Sequence, residues 1–370
     1  MITLSSSWMI VDQNKSGKNM VHKVLTVVGA RPQFIKAAAV SRAFRGRSGL
    51  SETMVHTGQH FDKKMSDIFF QELGIPAPLY NLEINGGGHG KMTGRMLEYL
   101  EEAIITEKPD MVLVYGDTNS TIAGALAAAK LTIPVAHVEA GLRSFNSDMP
   151  EEVNRVLTDH ASSLLFCPTQ TAKANLLSEG ISEGVYNVGD VMFDASMFAL
   201  EKAHRVSNIQ TQLKLEPDHY AVSTVHRAEN TNNAENLEKV LNWLKSQAVH
   251  MTIVLPLHPR TRISAERFGL DFDGLMVCDP VGYLDMAKLI SGAKAIYTDS
   301  GGLQKEAYFH KKPCVTLREQ TEWVETIENG WNRLWSSPSY KERKEITEYG
   351  EGNASQLILD EIESYLDKSV

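Results

Sequence analysis

The sequence predicts an α/β protein made of two parallel-sheet domains that face one another across a cleft. Three observations predict it. From Val24 onward one phrase recurs: a short apolar run, a polar or glycine-bearing turn, then a helical pattern, which is how a βαβ sheet is written. The phrase runs in two series, separated by the helical and then polar stretch DASMFALEKAHRVSNIQTQL, which puts a boundary near Asp190. The chain has 370 residues, more than the ~250 that a single core commonly holds. The expected division is 20–190 and 191–349, with 350–370 as a final helical segment.

Taken in order, KVLTVVG, SETMVHTG, MVLVYGD, PVAHVEA, SLLFCPT and VYNVGD are the strands of the first series. YAVSTVH, MTIVLPLH, LMVCDP, AIYTDS and PCVTLRE are those of the second. GGGHG, Gly86 to Gly90, reads as a flexible loop that a mobile lid would use. In SQLILDEIESYL the residues Leu357, Ile358, Ile362, Tyr365 and Leu366 share one helical face, so that helix should dock on a domain. The first nineteen residues lack a basic start and an unbroken apolar run, and read as an extension, with the fold beginning at Met20.

An apolar fraction of 42% and a charged fraction of 22% allow a large core in a soluble protein. The net charge of −9 argues against nucleic acid or an anionic membrane as partner, and no apolar run is long enough to span a bilayer. Cys167, Cys278 and Cys314 are odd in number and far apart, which suits buried thiols in a reducing cytoplasm and offers no metal spacing.

In open α/β sheets ligands bind at the carboxyl ends of the strands, and the unusual residues fall there. Ser300-Gly301-Gly302 starts a helix whose free N–H groups attract anions, with Glu306 about a turn later, placed to hold a ribose diol. A plain serine cap with a glycine turn is the bland alternative. Arg31 and Lys36 sit near the positive end of a helix opened by Pro32, so they are either solvated surface charge or partners of an anionic ligand. GARPQF lacks the dinucleotide fingerprint Gly-x-Gly-x-x-Gly, which counts against a dehydrogenase.

Asp117 ends a strand, as a turn residue or as something more, and Glu139 ends the next inside apolar HVEAG, where a carboxylate is costly without a function. Glu151 and Glu152 open a helix, and Glu151, Arg155 and Asp159 at four-residue steps suit a surface ion-pair ladder. In the second half His226 with Arg227, and His258 with Arg260 and Arg262, follow consecutive strands and form a cationic wall. Carboxylates on one domain opposite cations and an anion nest on the other suit acid/base chemistry on a phosphate-bearing substrate.

The motifs VLTVVGARPQFIK, HTGQH, VLVYGDTNST, HVEAGLRS, PEEVNR, VGDVMFDA, HRAEN, TDSGGLQKEA and YGEGNAS resemble, in order, the non-hydrolysing UDP-N-acetylglucosamine 2-epimerases over nearly the whole chain from Val21. The resemblance implies two Rossmann-like domains of GT-B type with the last helix returning to the first. It implies Asp117, Glu139 and Glu151 as acid/base carboxylates and His226 beside the diphosphate. Arg31 and Lys36 become ligand-binding cations, Ser300, Gly301 and Gly302 the diphosphate loop, and Glu306 the ribose ligand. His258 joins the same wall, and Val281 and Met286 in CDPVGYLDM take the uracil side. The implied reaction expels UDP as the proton on carbon 2 is removed, forms a glucal-type intermediate, and re-adds UDP with inversion. It requires no hydride carrier and no metal, and the resemblance implies a homodimer.

Two departures bear on the substrate. Thr321-Glu322-Trp323-Val324-Glu325 stands where many members have Thr-Glu-Arg-Pro-Glu, so Trp323 replaces a cationic substrate contact. Gln59-His60-Phe61-Asp62 replaces Gln-His-Arg-Glu near a regulatory site, which weakens any expectation of allosteric activation. Both features resemble the subgroup acting on UDP-2,3-diacetamido glucuronic acid. A GT-B glycosyltransferase, a hydrolysing 2-epimerase and a silent sugar-nucleotide sensor are the competing readings.

Overall fold

A computed structural model describes residues 21–59 and 72–368. The expected N-terminal extension and His60 to Asp62 lie outside the described residues. The first half carries strands β1 (His22–Val28), β2 (Leu50–His56), β3 (Tyr80–Asn81), β4 (Met111–Tyr115), β5 (Val135–Val138), β6 (Leu164–Cys167) and β7 (Val185–Asn187). Between them run α1 (Arg31–Phe44), α2 (His89–Glu107), α3 (Asn119–Lys130), α4 (Pro150–Ala161) and α5 (Gln170–Ser178), and α6 (Val191–Val206) leads out. After α7 (Ile209–Gln212) the second half has β8 (Tyr220–Thr224), β9 (Thr252–Pro256), β10 (Met276–Cys278), β11 (Ala295–Thr298), β12 (Cys314–Thr316) and β13 (Asn332–Leu334). Its helices are α8 (Ala228–Thr231), α9 (Ala234–Ala248), α10 (Pro259–Phe268), α11 (Tyr283–Gly292), α12 (Gly301–Phe309) and α13 (Val324–Glu328), and α14 (Ala354–Lys368) ends the chain.

The strand orders are β3-β2-β1-β4-β5-β6-β7 and β10-β9-β8-β11-β12-β13, and the registered pairs are parallel. Both sheets wind outward from a central strand and then reverse, which makes β1/β4 and β8/β11 the switch points where loops diverge and a crevice opens. Central strands are apolar throughout because both faces are covered. In β4, Met111, Leu113 and Tyr115 pack with α1, α6 and α14, while Val112 and Val114 pack with α2 and α3. The sequence reading omits the edge strands β3 and β13, whose two and three residues hold one apolar side chain each, Tyr80 and Leu334, whereas the equally short β7 and β10 are richer in apolar residues.

Helix α6 packs against α1 of the first half and α11 of the second. The closing helix α14 returns to α1, burying Ile358, Leu359, Ile362 and Leu366. Leu357, expected on that face, is instead exposed, and Leu359 takes the core position. The return passes directly beside the outward crossing: the Asp190 amide donates to the Tyr349 carbonyl at 3.0 Å. Gly189, at φ +83°, lies so close that a Cβ there would meet the Tyr349 oxygen at 2.6 Å. Of the glycine run, Gly86 and Gly87 have positive φ, and His89 and Gly90 open α2. Cys167 and Cys314 are buried and Cys278 half-buried, all as free thiols.

Candidate functional site

The loops at the two switch points carry Arg31, Asp117, His226 and Ser300, and the neighbouring strand ends carry Glu139 and His258. After β1 the chain enters α1 at Arg31, and Gln33 ties that junction to β4: its Oε1 accepts from the Gly29 and Ala30 amides, and its Nε2 donates to the Tyr115 carbonyl. One turn further, Lys36 points back to the strand ends, with its side chain 10% exposed, and pairs directly with Glu139 Oε2. After β4, Gly116 at φ +63° leaves room for this pair, since a Cβ there would stand 3.2 Å from Glu139 Oε2 and 3.5 Å from Lys36 Nζ. Asp117 follows, and its Oδ2 is 2.5 Å from Arg155 Nη2 of α4. Asp117, Glu139 and Lys36 therefore occupy one corner. Burial, and next the charge of Lys305, push the Lys36 ammonium down to about 8, against the pull of Asp117 and Asp190.

Glu139 itself adopts φ +73°, a conformation that costs a side-chain-bearing residue about 1–3 kcal/mol and persists where surrounding bonds hold it. Here the Glu139 and Ala140 amides both donate to the Phe166 carbonyl, and close by His137 places Nε2 2.8 Å from the Gly116 carbonyl and Nδ1 2.7 Å from Asp159 Oδ1. Asp159 also accepts from the Gly141 amide and from Arg143. The ion-pair ladder expected along α4 does not form, because Asp159 faces this buried network while Arg155 turns to Asp117 and to Glu152. Glu151 is exposed and contacts no partner among the described residues, whereas its neighbour Glu152 is buried and accepts from the Ser144 and Phe145 amides.

On the second sheet His226 follows β8, and its Nδ1 lies 3.1 Å from Asp299 Oδ1 at the end of β11. Asp299 is fully buried and also accepts from the His226 and Arg227 amides and Asn230. Burial works against its charge, yet His226 and those amides hold the carboxylate below its usual range. With Nδ1 engaged, Nε2 of His226 is left for a ligand. The His258 ring stands 5.5 Å away, and its Nδ1 accepts from the Arg260 amide, so it caps α10 as well. Burial and then the charge of His226 lower its pKa.

Ser300 caps α12, accepting from the Leu303 amide. A Cβ on Gly301 would strike Glu322 Oε1 at 2.3 Å, whereas a Cβ on Gly302 would meet nothing. The Gly301 contact is with the end of a side chain that can swing aside, so packing within the protein strictly requires neither glycine. Burial raises Glu306 to about 7, with Arg31 and then Lys305 opposing it. Val281 and Met286 pack against the core beneath the second sheet, beside Met276 and Cys278. Trp323 lies with its ring 4.0 Å from Lys305 Nζ, and its indole N–H is buried without an acceptor among the described residues.

Lys305 and Asp190 are among the site residues that escape the sequence reading. Lys305 of α12 lies 2.5 Å from Asp190 Oδ2 and 3.9 Å from Glu139 Oε1, and Asp190 caps α6. Both fall inside quoted motifs, TDSGGLQKEA and VGDVMFDA, but their pairing spans 115 residues and has no local signal. Gln59, the described part of the other departure, accepts from the Ser120 amide and hydroxyl.

Residues 42–363 match the family model described as UDP-N-acetylglucosamine 2-epimerase. The chain is 52% identical to a UDP-N-acetylglucosamine 2-epimerase homolog of Methanococcus maripaludis, over 91% of this chain and 98% of that one. It is 54% identical to the UDP-2,3-diacetamido-2,3-dideoxy-D-glucuronate 2-epimerase of Pseudomonas aeruginosa, over 84% and 88%. Among solved structures, the Methanocaldococcus jannaschii UDP-GlcNAc 2-epimerase in complex with UDP-GlcNAc and UDP superposes with a TM-score of 0.78 at 39% identity, covering 94% of this chain and all of that one. The UDP-GlcNAc-bound enzyme of Neisseria meningitidis gives 0.80 at 30% identity, over 92% and 99%.

Proposed function

The chain belongs to the UDP-N-acetylglucosamine 2-epimerase family, and on that premise we propose that it interconverts UDP-N-acetylglucosamine and UDP-N-acetylmannosamine by eliminating and re-adding UDP. The observation that carries this reading is the 3.9 Å approach of Lys305, on the helix opened by Ser300, to Glu139. It sets the anion-binding helix N-terminus and the carboxylate corner on two sides of one narrow space.

The hydrogen on carbon 2 of a UDP-hexosamine is not next to a carbonyl, so its loss must accompany departure of a leaving group. Glu139 and Asp117 are the proton-transferring carboxylates in this reading, with Glu151 as the third, since inversion needs a group on each face of the ring. Ser300, Gly301 and Gly302 bind the diphosphate through helix N–H groups, and Arg31, Lys36, His226 and His258 offset its charge as it leaves. His226, oriented by Asp299, presents Nε2 to the departing oxygen. Glu306 takes the ribose, and Val281 and Met286 the uracil. The proton-transferring carboxylates then belong to the first half and the diphosphate loop, ribose and uracil residues to the second, with Arg31 and Lys36 reaching the diphosphate from the first, a division at Asp190 with the closing helix returned to the first.

Incubation with UDP-N-acetylglucosamine in heavy water should place deuterium at carbon 2 of both epimers. Transfer to an acceptor, or release of free N-acetylmannosamine, would instead indicate a glycosyltransferase or a hydrolysing enzyme, and binding without exchange a sensor. A second reading takes UDP-2,3-diacetamido glucuronic acid as the substrate. It is favoured by Trp323 in the TEWVE segment and by the 54% identity to the Pseudomonas enzyme. Running both sugars in the same assay ranks them by kcat/KM.

The cytoplasm is the compartment this reading implies, in keeping with three free thiols, and no described helix is long and apolar enough to cross a membrane. A homodimer is the proposed assembly. It is supported by Phe145, Val153 and Leu157, apolar side chains left 81%, 45% and 49% exposed on α4 and the turn before it.

A further inference from the structure

Lys305 has no chemical part in the reaction above, yet several contacts converge on it. Its side chain is 4% exposed, its ammonium lies between Asp190 and Glu139, and the Trp323 ring covers it. An ammonium withdrawn from water this far is held by well-placed anions or it destabilises the fold. Those anions do not belong to its own half: Glu139 ends β5 of the first sheet, and Asp190 caps the helix that joins the halves.

We propose that Lys305 is a positioning residue, which reaches from the diphosphate helix across the cleft to fix the Glu139 carboxylate for proton transfer. Glu139 Oε2 is held by Lys36 of its own half, and a carboxylate held at one oxygen still pivots. Lys305 stands 3.9 Å from the other oxygen, and its charge draws that oxygen toward α12 and narrows that freedom. Because Lys305 stands four residues after Gly301, on the same face of α12, any displacement of the diphosphate loop carries the ammonium with it. The carboxylate is thus set only while the nucleotide-binding half is closed against it. The simpler alternative is that Lys305 exists to neutralise Asp190.

The proposal rests on the epimerase reading, and the experiment separates the two. Lys305→Met, Lys305→Arg and the double variant Lys305→Met/Asp190→Asn are compared with wild type for kcat, KM, carbon-2 deuterium exchange and calorimetric UDP affinity. Lys305→Met should lower kcat and exchange by about 100-fold, the scale of a misplaced catalytic group, with KM and UDP affinity within about 3-fold. Lys305→Arg should recover part of the rate. The double variant removes the stranded Asp190 charge, so it should fold and bind UDP normally while staying slow. Recovery of turnover in the double variant would make Lys305 a structural partner of Asp190 and overturn the proposal. An unchanged kcat in Lys305→Met, or a parallel loss of UDP affinity, overturns it too. If Lys305→Met alone fails to fold, the double variant decides. Absence of exchange in wild type would instead sink the epimerase reading.

Discussion

Glu139 keeps a left-handed backbone conformation with its amide bonded to the Phe166 carbonyl, and its carboxylate is clasped by a lysine, which is heavy investment for one side chain unless its carboxylate acts. Replacing Glu139 with Gln, or Asp117 with Asn, should leave UDP affinity within a few-fold and cut turnover by at least about 100-fold, the usual contribution of a general acid or base. Glu151→Gln should do the same, measured by steady-state epimerisation, whereas a full rate would return Glu151 to helix capping. Glu306 supplies a pH prediction. Burial raises its pKa to about 7 when folded against an ordinary 4.5, so between those values the folded state binds the extra proton and stability falls as pH rises. Below 4.5 that stabilisation is fully present, and above 7 it is gone. Urea midpoints across pH 4.5 to 7.5 should flatten in Glu306→Gln relative to wild type. At this scale the sequence exposes residues that conflict with their local setting, such as a glutamate within HVEAG. Lys305, an ordinary polar position of an amphipathic helix, conflicts with nothing until its distant partners are in place.

At the scale of elements, strand-to-helix junctions are the legible feature. The turn after β11 begins a helix at the expected residue, and the turns after β1, β4, β5 and β8 deliver Arg31, Asp117, Glu139 and His226 to the strand ends. The edge strands β3 and β13 and the orientation of α4 are not legible, because those two strands hold a single apolar residue each and because Arg155 and Asp159 answer to partners on other elements. Gly302 of α12, which has open space where a Cβ would stand, is open to experiment. Gly302→Ala should leave the melting temperature unchanged or slightly raised, since a methyl there meets no protein atom and alanine favours helix by up to about 1 kcal/mol. UDP affinity should fall about tenfold if a phosphate approaches that backbone, and calorimetry reads the difference. Equal affinity would show that the nucleotide sits elsewhere.

For the molecule as a whole, the doubled βαβ pattern foretells two wound sheets, while net charge and thiol spacing narrow the class of partner. How the sheets face one another is not written locally, since α6 and the buried pairs of Lys305 set it. The exposed apolar residues on α4 make the assembly testable. Leu157→Asp should shift sedimentation from a dimer toward a monomer at micromolar concentration without loss of helical circular dichroism, and a wild type that sediments as a monomer would rule the assembly out. The paired crossings at Gly189 and Tyr349 bear on how such a molecule moves. Two backbone spans laced side by side act as a double strap: the halves can fold toward each other about the line through the strap, but cannot swivel freely as they would on a single thread. Adjacent crossings of this kind leave the two halves fewer ways to move apart than a lone linker would.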